Sequence, residues 1–136
     1  MPAEITYLSN VRISASDFID LLKRSTLSER RPVDDPERMQ RMLDHGNVII
    51  TAWLDGLLVG VSRALTDFSF CCYLSDLAVD QAYQHQGIGK ELVRLTHAAA
   101  GMETMLILLA APAAIHYYPR IGMRNFSHCY VLDRKK

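Results

Sequence analysis

No surplus of either charge exists in this chain: fifteen Lys and Arg face fifteen Asp and Glu, for a formal net charge of zero. A protein living on phosphate-backbone contacts carries a basic excess, so nucleic acid is disfavoured as the main partner. Long hydrophobic runs are missing too. The longest, Met105 to Pro112, has the length of a strand and falls far short of the roughly 20 residues that span a bilayer. No membrane partner is expected. Met1-Pro2-Ala3-Glu4 lacks the basic patch and apolar stretch of a secretory signal. Cysteine is scarce, and Cys71, Cys72 and Cys129 form an odd set without Cys-x-x-Cys spacing. The adjacent pair reads as small buried hydrophobes in a reducing compartment, which points to the cytoplasm. His45, His97, His116 and His128 show no mutual ligand spacing, so no metal site is expected. Only 7 Gly and 5 Pro occur, which excludes a collagenous or low-complexity chain.

What remains is 136 residues, 49% of them apolar, enough for one domain spanning residues 1–136 around one core. Ile5 to Val11 alternates loosely and predicts a first strand. Ser14-Ala15-Ser16-Asp17 offers N-cap oxygens ahead of Phe18, Ile19, Leu21 and Leu22, an amphipathic helix. Ser25 to Val33 is polar and predicts a loop. Asp35 as N-cap, Pro36 at the first helical position and Glu37 in the first turn open a second helix. Its inward stripe is Met39, Met42 and Leu43, and Gly46 is the expected left-handed terminator.

From Asn47 the period changes. Val48–Leu54 and Leu57–Ala64 form a hairpin around Asp55-Gly56, and Phe70–Val79 is a further strand. A long helix follows Gly89, with Ile88, Leu92, Leu95 and Ala99 inward, and ends at Gly101. Met105–Ala110 is continuously apolar and predicts a central strand covered on both faces. Ala113–Ile121 predicts a short helix closed by Gly122, and Asn125–Leu132 a final strand. The order β-α-α-β-β-β-α-β-α-β is that of a mixed α+β domain with helices packed on a mixed sheet.

The segment Leu77-Ala78-Val79-Asp80-Gln81-Ala82-Tyr83-Gln84-His85-Gln86-Gly87-Ile88-Gly89-Lys90 carries the chemistry. A strand ends, a polar loop with two glycines follows, and an amphipathic helix starts at once. The first turn of a helix offers unpaired N–H groups at the positive end of its dipole. Glycines let an anion approach those donors without Cβ atoms in the way. Phosphate or pyrophosphate is the implied ligand. A P-loop is excluded, because Gln84 stands where its first glycine belongs and Glu91 follows Gly89-Lys90. A dinucleotide fingerprint would need Gly or Ala at the position that Leu92 occupies.

Gln84-x-x-Gly87-x-Gly89 resembles the coenzyme-A-binding motif of the GNAT N-acetyltransferases, Arg/Gln-x-x-Gly-x-Gly/Ala between a strand and a helix. Leu74-Ser75-Asp76-Leu77-Ala78-Val79 looks like the strand that precedes this loop in the family. Tyr117-Tyr118-x-x-Ile121-Gly122-Met123 is similar to its later Phe-Tyr-x-x-x-Gly-Phe signature, with Met123 in place of the usual Phe. The resemblance implies a mostly antiparallel sheet of about six strands with helices on both faces, and acetyl-CoA as co-substrate. The pyrophosphate would lie on the amides of Gln84, His85, Gln86, Gly87, Ile88, Gly89 and Lys90. The pantetheine would run beside Leu77, Ala78 and Val79, where that strand splays from the next one. An N–H near Val79 would serve the oxyanion of the tetrahedral intermediate.

Tyr118, four residues before Gly122, carries over as the general acid for the departing thiolate, with Tyr117 the competing assignment. Asp76 is the carboxylate in the strand beside the thioester and stands as the candidate base, with a structural carboxylate paired to a nearby arginine as the equal alternative. The acceptor implied is a primary amine, on a small molecule or a protein, and dimers are common among relatives. The rival reading is a GNAT-like module that binds acyl-CoA as a sensor without catalysis.

Overall fold

The protein is described here by a computed structural model covering residues 4–135. Its elements run β1 (Thr6–Ser9), α1 (Ala15–Ser25), α2 (Pro36–His45), β2 (Val48–Leu54), β3 (Leu57–Thr66), β4 (Cys71–Val79), α3 (Ile88–Ala100), β5 (Met105–Ile107) and α4 (Tyr117–Arg120). Short 3-10 turns occupy Leu27–Arg30, Gln81–Tyr83 and Pro112–Ala114. The helix starts follow their caps. Ser14 accepts from the Asp17 amide at 3.0 Å, and Asp35 accepts from Arg38 with Pro36 at the first turn. Five strands form one sheet in the order β1-β2-β3-β4-β5, antiparallel except for the β4–β5 pair.

Helices cover both faces of the sheet. On one, Phe18, Leu21 and Leu22 of α1 and Met39 and Leu43 of α2 pack on Leu58, Val61 and Ala78. On the other, Ile88, Leu92 and Ala100 of α3 pack on Val48, Ile50, Ala52, Val59, Ala64, Cys72 and Leu74. Fully burying each of the larger aliphatic or aromatic side chains contributes about 1.5–3 kcal/mol.

A β-bulge divides β4. Arg63 pairs with Asp76 while the adjacent Ala64 pairs with Leu74, so Ser75 is an extra residue without a partner. Because side chains alternate along a strand, one inserted residue reverses the faces beyond it. Cys72 and Leu74 face α3, and after the bulge Leu77 and Val79 do so, while Ala78 turns to α1 and α2. The reversal is held by charge. Asp76 is wholly buried, one carboxylate oxygen accepting from Arg31 Nε and the other from Arg63 Nε. Arg31 Nη2 also donates to the Ser75 carbonyl at 2.6 Å. Arg63 Nη2 reaches Ser75 Oγ at 3.1 Å and Nη1 the Met42 carbonyl at 3.0 Å. One carboxylate thus ties the α1–α2 connection, the end of α2 and β3 to the bulge.

Several expectations need correction. The sheet has five strands rather than six, because Asn125–Leu132 pairs with nothing and is exposed throughout. Without that neighbour β5 is an edge of three residues, not a covered central strand, and its Met105 and Ile107 are exposed. Gly46 is extended (φ −76°, ψ 119°) rather than left-handed. Its lack of a side chain serves a close approach, since a Cβ there would lie 2.7 Å from Arg63 Cγ. The buried stripe of α3 is Ile88, Leu92, Thr96 and Ala100, with Ala99 exposed. Thr96 is tolerated inside because its hydroxyl bonds Ser62 Oγ and the Leu92 carbonyl, both at 2.6 Å. The helix foreseen over Ala113–Ile121 is a 3-10 turn followed by the single turn of α4.

Removing one member of a buried ion network leaves the others without counter-charge. Asp76→Ala is therefore expected to lower the unfolding free energy in urea by about 3–5 kcal/mol, nearer the lower figure because Arg31 reaches solvent. A loss below about 1 kcal/mol would mean that the network does not hold the bulge.

Candidate active site

Beyond the bulge β4 runs alone on one side. Its pairing with β5 covers only Cys71↔Met105, Cys72↔Leu106 and Tyr73↔Ile107, and ends there. From Leu74 to Val79 the edge of β4 facing away from β3 has no strand beside it. This is the divergence expected between the two strands, and it leaves backbone donors and acceptors open to an extended ligand. Leu77 and Val79 are half-buried along it, and Ala78 is buried on the opposite face.

The loop that follows is anchored at its base. Another bulge, at Val59 of β3, frees the Val59 carbonyl, which accepts from the Asp80 amide at 2.9 Å. The Asp80 carboxylate accepts from Ala82 N at 2.8 Å and from Arg24 Nη1 at 2.5 Å. Arg24 also donates to the Leu58 carbonyl and to Asp20. Gln84 folds back so that its amide nitrogen donates to the Val79 carbonyl at 3.0 Å. Of the expected anion-binding residues, Gln84 therefore also acts through its side chain, as a brace.

At the tip, His85 (φ 66°) and Gly87 (φ 84°) are both left-handed, a backbone shape that aims successive N–H groups to one side. Gly87 is the N-cap of α3 and has no side chain to satisfy the helix. Among the described residues nothing accepts a hydrogen bond from the amides of Ile88, Gly89 or Lys90. Three orphan donors at the positive end of a thirteen-residue helix suit an anion. Gln86 and Lys90 are exposed beside them, and Ile88 points into the core. A groove of about 360 Å³ opens next to this turn, lined by Gly87, Lys90, Glu91, Val93, Arg94 and Ile121.

The two tyrosines are brought to the same end of the molecule. Tyr117 lies across the first turn of α3, so that a Cβ on Gly89 would fall 2.7 Å from its hydroxyl. Glycine at 89 is what lets the phenol approach. Tyr118 meets Tyr117 edge to face, with centroids 5.2 Å apart. Burial raises the pKa of both phenols above the ordinary value, and Tyr117 raises that of Tyr118 further. Each is therefore protonated at neutral pH.

Asp76 does not fit the role of base. It is inaccessible, on the α1/α2 side of the sheet, with both oxygens occupied by Arg31 and Arg63. Sequence reasoning did not identify Arg24, Arg31, Arg63 and Asp80 as the frame of the site, because the ion pairs Arg63–Asp76, Arg31–Asp76 and Arg24–Asp80 join residues 13, 45 and 56 apart. No local signal marks them. Among the described residues no three His, Cys, Asp or Glu side chains gather as metal ligands. Nor is any helix there long and apolar enough to cross a membrane.

The profile of the Acetyltransferase (GNAT) family matches residues 15–123. No curated protein matches the sequence significantly. Solved structures do resemble it. A GNAT-family acetyltransferase from Streptococcus pneumoniae TIGR4 is 21% identical, with 98% of each chain covered and a TM-score of 0.77. A probable acetyltransferase from meticillin-resistant Staphylococcus aureus is 16% identical, covering 98% of this chain and 100% of its own, at a TM-score of 0.80. Aminoglycoside N-acetyltransferase AAC(6')-Iy in complex with CoA is 14% identical, covering 100% of this chain and 98% of its own, at 0.74. At these identities the structures speak for the fold, and the profile for the lineage: the chain belongs to the GNAT acetyltransferase family and is an acyltransferase.

Proposed function

We propose that this protein transfers an acetyl group from acetyl-CoA to a primary amine by direct attack within a ternary complex. The observation that carries the proposal is the trio of unpaired amides at Ile88, Gly89 and Lys90, continuous with the open edge of β4. A diphosphate fits the first, and a chain bearing amide groups fits the second. The CoA held by the AAC(6')-Iy structure supports the same co-substrate.

In this reading His85, Gln86 and Gly87 complete the anion cradle, and the pantetheine lies along Leu77, Ala78 and Val79. The amine nitrogen attacks the thioester carbonyl, forming the C–N bond, and the tetrahedral oxyanion is met by an N–H near Val79. Collapse breaks the C–S bond, and the Tyr118 phenol gives its proton to the leaving thiolate. Tyr117, over Gly89, closes the cradle rather than supplying that proton. Since Asp76 is sealed, the amine loses its proton to solvent, and Asp76 serves instead to hold the bulge that separates β4 from β5.

Acetyl-CoA present at one hundred times its Kd should stabilise the fold by about 2.7 kcal/mol, read as a rise of several degrees in melting temperature. An unchanged transition at millimolar acetyl-CoA would overturn the reading. If the fold is stabilised and no amine, polyamine, amino acid or lysine peptide releases CoA, the protein is a non-catalytic acyl-CoA binder.

The tyrosines separate kinetically. Tyr118→Phe should lower kcat by about 10²-fold with little change in KM for acetyl-CoA, whereas Tyr117→Phe should act mainly on that KM. An acid must be protonated to work, so the wild-type rate falls only as pH rises through the elevated Tyr118 pKa, above 10. A descending limb near neutrality, or one that persists in Tyr118→Phe, would remove Tyr118 from the chemistry.

A further inference from the structure

Where β4 and β5 part, only one face of the sheet is taken. The anion cradle lies on the α3 side, where Leu106 and Leu108 pack on the core. A coenzyme entering from that side leaves the other face for the amine. There α1 and α2 cover Leu58, Val61 and Ala78. Beyond the bulge the same face is bare. Leu65 pairs with Tyr73 and Tyr73 with Ile107, so the three share a side of the sheet, the one opposite Cys72 and Leu74 of the α3 core. Met105, two residues before Ile107, joins them. Leu65 is 40% exposed, Tyr73 37%, Met105 54% and Ile107 45%, and Leu109 beyond the strand is 54% exposed. Single exposed apolar residues need no explanation, but a contiguous set across three strands marks a binding face.

Its position and its border say what binds. Tyr73↔Ile107 is the last pair before the strands diverge, so the apolar face adjoins the gap that would receive the thioester. The border is positive. Arg31 and Arg63 share the single carboxylate of Asp76, which leaves one positive charge in excess. Arg31 is the accessible member, with 20% of its side chain exposed and its guanidinium held by Asp76 and the Ser75 and Arg30 carbonyls. The only carboxylate in β3, β4 or β5 is Asp76, which is sealed.

We propose that the acceptor is a monoamine on an apolar body, aromatic or aliphatic, that lies against Tyr73 and Ile107, and that this face rejects acceptors with a second positive charge. The inference rests on the acyl-transfer reading and narrows its acceptor. Both features serve the chemistry. An ammonium cannot attack, and Asp76 is not free to take its proton. An apolar wall and a nearby guanidinium both disfavour the charged form, so the bound amine gives its proton to solvent more readily. A polyamine would have to desolvate a further ammonium against apolar side chains without a counter-ion, which is costly.

Hexylamine and cadaverine match in chain length and differ by a terminal methyl against a terminal ammonium. With acetyl-CoA, kcat/KM for hexylamine should exceed that for cadaverine by at least about 10-fold, the scale of discrimination in an apolar pocket. Phenethylamine should be acetylated as well. Ile107→Glu should lower the hexylamine value about 10-fold and raise that of cadaverine, while acetyl-CoA still raises the melting temperature of the folded variant. Leu109→Glu repeats the test two residues along. Cadaverine used as well as hexylamine, or a preference unchanged in both variants, would contradict the inference and leave the transferase reading standing. CoA release with no amine at all, from a protein that acetyl-CoA stabilises, would end both.

Discussion

Asp76 holds together two things that would otherwise drift apart: a strand that has slipped by one residue and the helical arm packed over it. An extra residue in a strand leaves a carbonyl and an amide without ladder partners, which is costly in a buried place. Here the Ser75 carbonyl is answered by Arg31 and the neighbouring carboxylate by both Arg31 and Arg63. The buried network is worth less as net stability than as specificity, since charges removed from water recover little beyond their own desolvation. What it secures is geometry. With the bulge fixed, β4 parts from β5 after Tyr73 and presents an open edge toward the loop that enters α3.

The same logic governs the loop. Its base is tied down by Asp80, Arg24 and Gln84, and its tip is left bare. Rigid support below and unsatisfied donors above suit an anion, because no protein hydrogen bond would have to break before one bound. Gly89 contributes by absence, giving Tyr117 room over the first turn of α3. The groove beside the tip, with Lys90 and Arg94 on its wall, is tempered by Glu91, which pairs with Arg94. Charge there is balanced, consistent with a chain of zero net charge.

How much of this can be read from residues alone depends on range. Ser14, Asp35 and the Asp55-Gly56 turn act on neighbours three or four residues away, so their sequence signals hold. The Gln84-to-Lys90 loop is legible for the same reason. Asp76 reads equally as a base or as a structural partner of an arginine, because its two arginines are 45 and 13 residues distant. Met105–Ala110 looked central because continuous apolar composition signals burial without saying by what. Thr96 displaced the expected Ala99 from the α3 interface because Ser62, on β3, supplies its partner. Asn125–Leu132 has the pattern of a strand, but a strand exists only beside another, and the segment does not return to the edge at β5.

Backbone resonances report most directly on the central claim, that free amides at the start of α3 and the open edge of β4 receive a coenzyme A thioester. Titrating the isotope-labelled protein with acetyl-CoA should shift the amides of Gly87, Ile88, Gly89 and Lys90 together with those of Leu74 to Val79, leaving β1 and α2 still. Saturation with acetyl-CoA that moves neither set would contradict the account.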